Sequence, residues 1–89
     1  MKIDLSFDDN TAILVVDGIL NSENAHIFQE YLNKVLKSEA TILELDLNNC
    51  NNISSTGIGK LLLFYKDFLG KGGEIEVTRC SSTVYDLFT

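Results

Sequence analysis

Asp46-Leu47-Asn48-Asn49-Cys50-Asn51-Asn52-Ile53-Ser54-Ser55-Thr56-Gly57-Ile58-Gly59 reads as the end of a buried strand, a polar loop, and then three hydroxyls and two glycines opening an apolar helix. The first N–H groups of a helix have no internal acceptors and that end carries partial positive charge, so such a junction favours hydroxyl caps, carboxylates and phosphates. A serine placed there can carry a phosphoryl group without local strain. Whatever chemistry the chain has is expected at this junction.

Working outward, Thr41 to Leu47 reads as a strand with Leu43, Leu45 and Leu47 on one side and Ile42, Glu44 and Asp46 on the other. Downstream, a helix from about Ser55 to Leu69 puts Ile58, Leu61, Leu62, Tyr65 and Leu69 on one face, which Leu63, Phe64 and Phe68 widen into an extensively packed surface. Gly70-Lys71-Gly72-Gly73 ends it, and Glu74 to Thr78 forms a further strand through Ile75 and Val77. Ser81 or Ser82 caps a short last helix carrying Val84, Leu87 and Phe88. Upstream, Asn21 or Ser22 caps a helix reaching about Lys37, whose Ala25, Phe28, Leu32, Val35 and Leu36 fall on one stripe, with Lys34 and Lys37 suiting the dipole at its end. At the amino end, Lys2 to Phe7 alternates in polarity. A short turn at Asp8, Asp9 and Asn10 leads into Thr11 to Val16, a β-branched run that suits a strand covered on both faces and stopped by Asp17 and Gly18.

The order β-β-α-β-α-β-α predicts a small single-domain α/β fold, a mixed sheet packed with helices. Its first strand is antiparallel, and right-handed crossovers make the remainder parallel. The Asn48 to Asn52 loop then lies at the carboxyl end of the third strand, on the edge where open parallel sheets bind their ligands.

Eighty-nine residues make one domain, and 45% hydrophobic with 22% charged residues is the composition of a folded globule. A net charge of −6 opposes nucleic acid and anionic membrane surfaces, which require a cationic footprint, so protein partners are expected. The amino-terminal residues lack a signal-peptide core and no later stretch is as long as a membrane span, so a cytoplasmic protein is expected. Cys50 and Cys80 show no metal-ligand spacing and are expected to be reduced and mostly buried, although both follow strands that can be neighbours. No metal site, no cofactor and a monomer are expected.

Taken together, Leu45-Asp46-Leu47, the short loop and Ile53-Ser54-Ser55-Thr56-Gly57-Ile58-Gly59-Lys60-Leu61-Leu62 resemble the signature of STAS domains, of which bacterial anti-sigma factor antagonists are the best-known members. The resemblance extends to Val16-Asp17-Gly18-Ile19-Leu20-Asn21, to Lys71-Gly72-Gly73-Glu74 and to Ser82-Thr83-Val84-Tyr85-Asp86-Leu87-Phe88, so it spans residues 1–89 in order. It implies a regulatory protein that binds an anti-sigma factor which is also a serine kinase. That kinase phosphorylates the middle of an Asp-Ser-Ser-Gly-type motif, here Ser55, and a serine phosphatase removes the mark. By the same resemblance the unphosphorylated form engages the inhibitor and so releases the sigma factor. Two departures stand out. Ser54 replaces the usual aspartate, and relatives often continue beyond the equivalent of Thr89 into another strand and helix, which implies a more exposed sheet edge here.

Read without the resemblance, Ser54, Ser55 and Thr56 are better explained as helix caps, and the resemblance reverses that reading for Ser55 alone. Gly57 and Gly59 lack the third glycine or the Lys-Ser/Thr of a phosphate loop, and close backbone approach to a strand or partner accounts for them better. Glu44 and Asp46 share a polar strand face with no histidine to complete a catalytic site, and His26 sits on a helix among polar neighbours. Asp4, Asp8, Asp9, Asp17 and Glu23 form either an acidic rim for a basic partner or simply a solvated face. The combined reading is a non-enzymatic regulator with Ser55 as phosphorylation site and Asn21, Ser54, Ser55, Thr56, Gly57 and Lys60 as partner contacts. Its alternatives are a docking module of a larger bacterial signalling complex that is not phosphorylated, and a small-molecule or nucleotide binder at the helix end.

Overall fold

The computed structural model describes residues 1–80. Strands β1 (Lys2–Asp8) and β2 (Thr11–Leu20) form an antiparallel hairpin, closed by a turn at Asp9 and Asn10 in which Asp9 takes φ 56°. A short polar side chain tolerates that left-handed conformation. Helix α1 (Ala25–Lys37), β3 (Ile42–Leu47), β4 (Cys50–Ile53), α2 (Ser55–Gly70) and β5 (Glu74–Cys80) follow. β2, β3 and β5 pair in parallel, giving the order β1-β2-β3-β5, with β4 attached separately to the distal end of β2. The mixed sheet expected from the sequence is present; the last helix, expected after Ser81 or Ser82, lies outside the described residues.

The register sets Ala12 and Leu14 of β2 beside Leu43 and Leu45 of β3, all fully buried. Phe28, Leu32 and Val35 of α1 and Leu61, Phe64 and Phe68 of α2 close the same cluster, so both helices cover one face of the sheet. On the other face Ile13, Val15, Ile42, Glu44 and Asp46 are only half-buried. The expectation that Thr11 to Val16 would be covered on both faces is thereby corrected. β-Branched residues suit a pleated surface whether or not a second layer covers it.

Two further differences shape the functional end. Asp17 and Gly18 do not stop β2. Gly18 takes φ 99°, open to glycine, and after a register shift there Ile19 and Leu20 pair with Asn52 and Ile53 of β4. Part of the Asn-rich segment read as a loop is thus a strand, with Cys50 and Ile53 turned inward and Asn51 and Asn52 outward. Four residues rich in asparagine carry almost no strand signal. Cys50 is buried, as expected.

Helix α2 has nearly its expected bounds but a different orientation. It buries Gly57, Leu61, Phe64 and Phe68, while Leu62, Leu63, Tyr65 and Leu69 face solvent. With apolar residues nearly all round, its pattern does not set a rotation. The close seat of Gly57 against Leu20 and Ile53, and the burial of Phe64 and Phe68 in the core cluster, do so instead.

Candidate functional site

Ser54 carries the chain from sheet to helix. Its N–H donates to the Leu20 carbonyl at 2.7 Å, continuing the pairing of Ile53 with Leu20. Its Oγ accepts the Gly57 N–H at 3.2 Å and its carbonyl accepts the Ile58 N–H at 2.9 Å. One residue with extended backbone, φ −76° and ψ 166°, therefore ends a strand and caps a helix. The start of α2 is fixed to the end of β2, and β4 is the element that fixes it.

Ser55 and Thr56 are the first two residues of α2 and both are exposed. Helix geometry leaves their N–H groups without intrahelical acceptors, and the peptide dipoles of a helix of 16 residues add positive potential there. The first turn contains no acidic side chain. Gly57 is buried, and a Cβ on it would lie 2.8 Å from Leu20 Cγ and 3.1 Å from Ile53 Cγ1, so only glycine lets the helix start this close to the sheet. Its N–H is used by Ser54, which leaves the glycine pair unlike a phosphate cradle.

The neighbouring loop is held by two asparagines. Asn21 Oδ1 accepts the N–H groups of Glu23 and Asn24 at 3.0 and 3.1 Å, and Asn24 Oδ1 accepts the Asn21 N–H at 2.8 Å. Asn24 Nδ2 donates to the Ile19 carbonyl at 2.9 Å. The expected cap at Asn21 or Ser22 is corrected: α1 begins at Ala25, with Asn24 at the N-cap position making no side-chain capping bond. Each asparagine satisfies the other's backbone, and the loop this closes delays the helix by a turn.

The structure thus brings Asn21, Ser54, Ser55 and Thr56 to one end of the sheet, with half-buried Lys60 a turn further along α2 and Gly57 packed beneath them. Ile19, half exposed beside this loop, and Asn24 escaped the sequence reading; the Asn-x-x-Asn spacing of Asn21 and Asn24 was the available signal. His26 is exposed on α1, and Glu44 and Asp46 sit on the open sheet face away from both helices. What the junction can do chemically is present a neutral hydroxyl to a partner, and hold an anion placed on that hydroxyl.

The profile of the STAS domain matches residues 2–89. The chain belongs to the STAS domain family. This STAS domain superposes on the anti-sigma factor antagonist SpoIIAA in its unphosphorylated form with a TM-score of 0.86, at 16% identity, over 98% of this chain and 77% of that one. The Bacillus cell fate determinant SpoIIAA in its phosphorylated form gives 0.81 at 15% identity, over 98% of this chain and 80% of that one. An anti-sigma factor antagonist from Mycobacterium paratuberculosis gives 0.86 at 18% identity, over 98% and 74%. At these identities the likeness establishes the fold. No curated protein matches the chain in sequence. Among the described residues, no helix of this STAS domain is long and apolar enough to cross a membrane.

Proposed function

We propose that this STAS domain is an anti-sigma factor antagonist: a cytoplasmic, non-enzymatic regulator that binds an anti-sigma factor serine kinase and is switched off when that kinase phosphorylates Ser55. The observation that carries the reading is the exposed Ser55 hydroxyl at the first position of a helix whose capping duty is already met by Ser54. Ser55 is therefore spare for modification. Asn21, Ser54, Thr56 and Lys60 surround it as contacts, and Gly57 sets the height of the helix start.

Phosphate adds about −1.5 to −2 charges at this point. Helix N–H groups and the dipole accommodate it locally, and with serine at position 54 no carboxylate stands beside it to oppose the charge. A partner surface fitted to a neutral hydroxyl must instead desolvate a dianion, a penalty of about 2 to 5 kcal/mol, or tens to thousands of times in affinity. Likeness to SpoIIAA in both phosphorylation states is consistent with a switch that acts at the interface and leaves the fold intact. A serine phosphatase completes the cycle.

The test is incubation of the purified protein with each anti-sigma factor kinase of its source organism and ATP, read by intact mass. A single added phosphate that Ser55→Ala abolishes is expected; an unchanged mass, or labelling that survives Ser55→Ala, contradicts the proposal. A second reading rests on Ser54 in place of the usual aspartate: a constitutive docking module, which would co-purify with its partner irrespective of ATP or phosphatase.

A further inference from the structure

Strand β1 forms one edge of the sheet. Among the described residues it pairs only with β2, so every second residue turns its N–H and C=O outward. Natural edges are commonly blunted by charges that repel a further strand. The charges of β1 are arranged otherwise. Its register against β2 puts Ile3, Leu5 and Phe7 beside Val16, Leu14 and Ala12 on the helix-covered face, and Lys2, Asp4, Ser6 and Asp8 on the open one. Run antiparallel to a copy of itself about Leu5, the strand sets Leu5 against Leu5, Ile3 against Phe7, Lys2 against Asp8 and Asp4 against Ser6. Every apolar side chain then faces an apolar one, and the ammonium faces a carboxylate. A slip of two residues either way sets Asp4 against Asp4 or Asp8, and a slip of one sets apolar against polar side chains.

The helix layer continues the match. Helix α1 overlies β2 and α2 overlies β5, so the side of α1 away from α2 is that of β1. Gln29, Leu32, Asn33 and Leu36 face α2, and helical spacing turns Ile27, Tyr31 and Lys34 to the β1 side. Ile27 is 39% and Phe7 51% exposed, and Ile3, Leu5 and Tyr31 are only partly buried against the core. An apolar border therefore runs from helix to strand along this edge. The other charges near it are Asp9 in the turn, Asp17 opposite Lys2 on β2, and Glu30 and Lys34 on α1. The border is acidic as a whole, and the two Asp4 carboxylates become diagonal neighbours, so copies repel at a distance. That repulsion is screened within about 8 Å at physiological salt, whereas facing pairs act at contact.

We propose that a second copy of this chain occupies the edge: β1 pairs with β1 about a two-fold axis at Leu5 and joins two sheets into one. The even register keeps the helices of both copies on the same face, where the two apolar borders meet. Main-chain hydrogen bonds hold the pair, and Lys2 with Asp8 fixes its register. The seat lies on the sheet edge and is independent of the function assigned to Ser55.

The experiment is sedimentation equilibrium of the purified protein from micromolar to millimolar concentration, with circular dichroism of every variant. A reversible monomer–dimer equilibrium is expected. Lys2→Asp and Asp8→Lys alone should each weaken it about tenfold, because symmetry changes two facing pairs at once. Lys2→Asp/Asp8→Lys has the net charge of wild type and should return the affinity to within about threefold of it, since the exchanged charges again face each other. Facing residues of antiparallel strands lie within disulfide reach, so under mild oxidation a mixture of Asp4→Cys and Ser6→Cys chains should cross-link as the mixed dimer faster than either chain alone. That mixture carries the test if a charge variant fails to fold. A monomer at millimolar concentration, a dimer indifferent to the single reversals, a double variant no tighter than the singles, or cross-linking without preference for the mixed pair each overturns the proposal.

Discussion

Replacing Gly57 with alanine tests how tightly the helix start is seated on the sheet. The new methyl carbon would lie 2.8 Å from Leu20 Cγ, 3.0 Å from Leu20 Cδ2 and 3.1 Å from Ile53 Cγ1. Leu20 is fully buried and the nearest contact is at its branch carbon, so rotation of a terminal methyl does not relieve the clash. Overpacking of this kind costs about 1–3 kcal/mol, against about 0.5–1 kcal/mol regained from the helix preference of alanine. The expected net loss of roughly 1.5 kcal/mol corresponds to a fall in melting temperature of about 6–12 °C for a domain of this size. Urea and thermal denaturation followed by circular dichroism measure it. Gly59→Ala is the matched comparison, with open space instead of a clash and an expected gain of about 0.5–1 kcal/mol. Opposite signs two residues apart in one helix are the signature. A Gly57→Ala protein as stable as wild type would refute the close seat, and with it the account of what positions Ser55.

Further substitutions probe the same construction. Ser54→Ala removes the cap and should cost about 0.5–2 kcal/mol by urea denaturation, whereas Ser54→Asp keeps a capping oxygen and should stay near wild type. Asn24→Ala removes both the acceptor for Asn21 N–H and the donor to the Ile19 carbonyl, an expected loss of about 1–2 kcal/mol accompanied by faster hydrogen exchange at the Asn21 amide. Phe68→Ala empties a fully buried site stacked on Phe64 and should cost about 3–5 kcal/mol, visible as a large drop in the urea midpoint.

Much of the fold was legible because period and capping agreed. The alternation of Leu43, Leu45 and Leu47 and the stripe of Ala25, Phe28, Leu32 and Val35 each admit one burial pattern, and the structure has it. What stayed hidden depends on tertiary contact. β4 is a strand because Gly18 bends β2 toward it, and nothing local in Cys50-Asn51-Asn52-Ile53 says so. The rotation of α2 is set by the match of Gly57 to Leu20 and Ile53, contacts distant in sequence or turned across a bend. The start of α1 was misplaced because Asn21 makes a loop bond of the kind that a cap would also make. The hydroxyl run placed Ser54, Ser55 and Thr56 at a helix start, where the structure has them, while the division of labour between them required coordinates. Ser54 caps, and Ser55 is left exposed.

The most direct test is the affinity of the anti-sigma factor kinase for this protein with and without phosphate on Ser55, measured by titration alongside circular dichroism. Binding weakened by tens to thousands of times with an unchanged spectrum is the predicted result. Equal affinity for the two forms, or a loss of binding that accompanies unfolding, contradicts a switch built on one exposed hydroxyl.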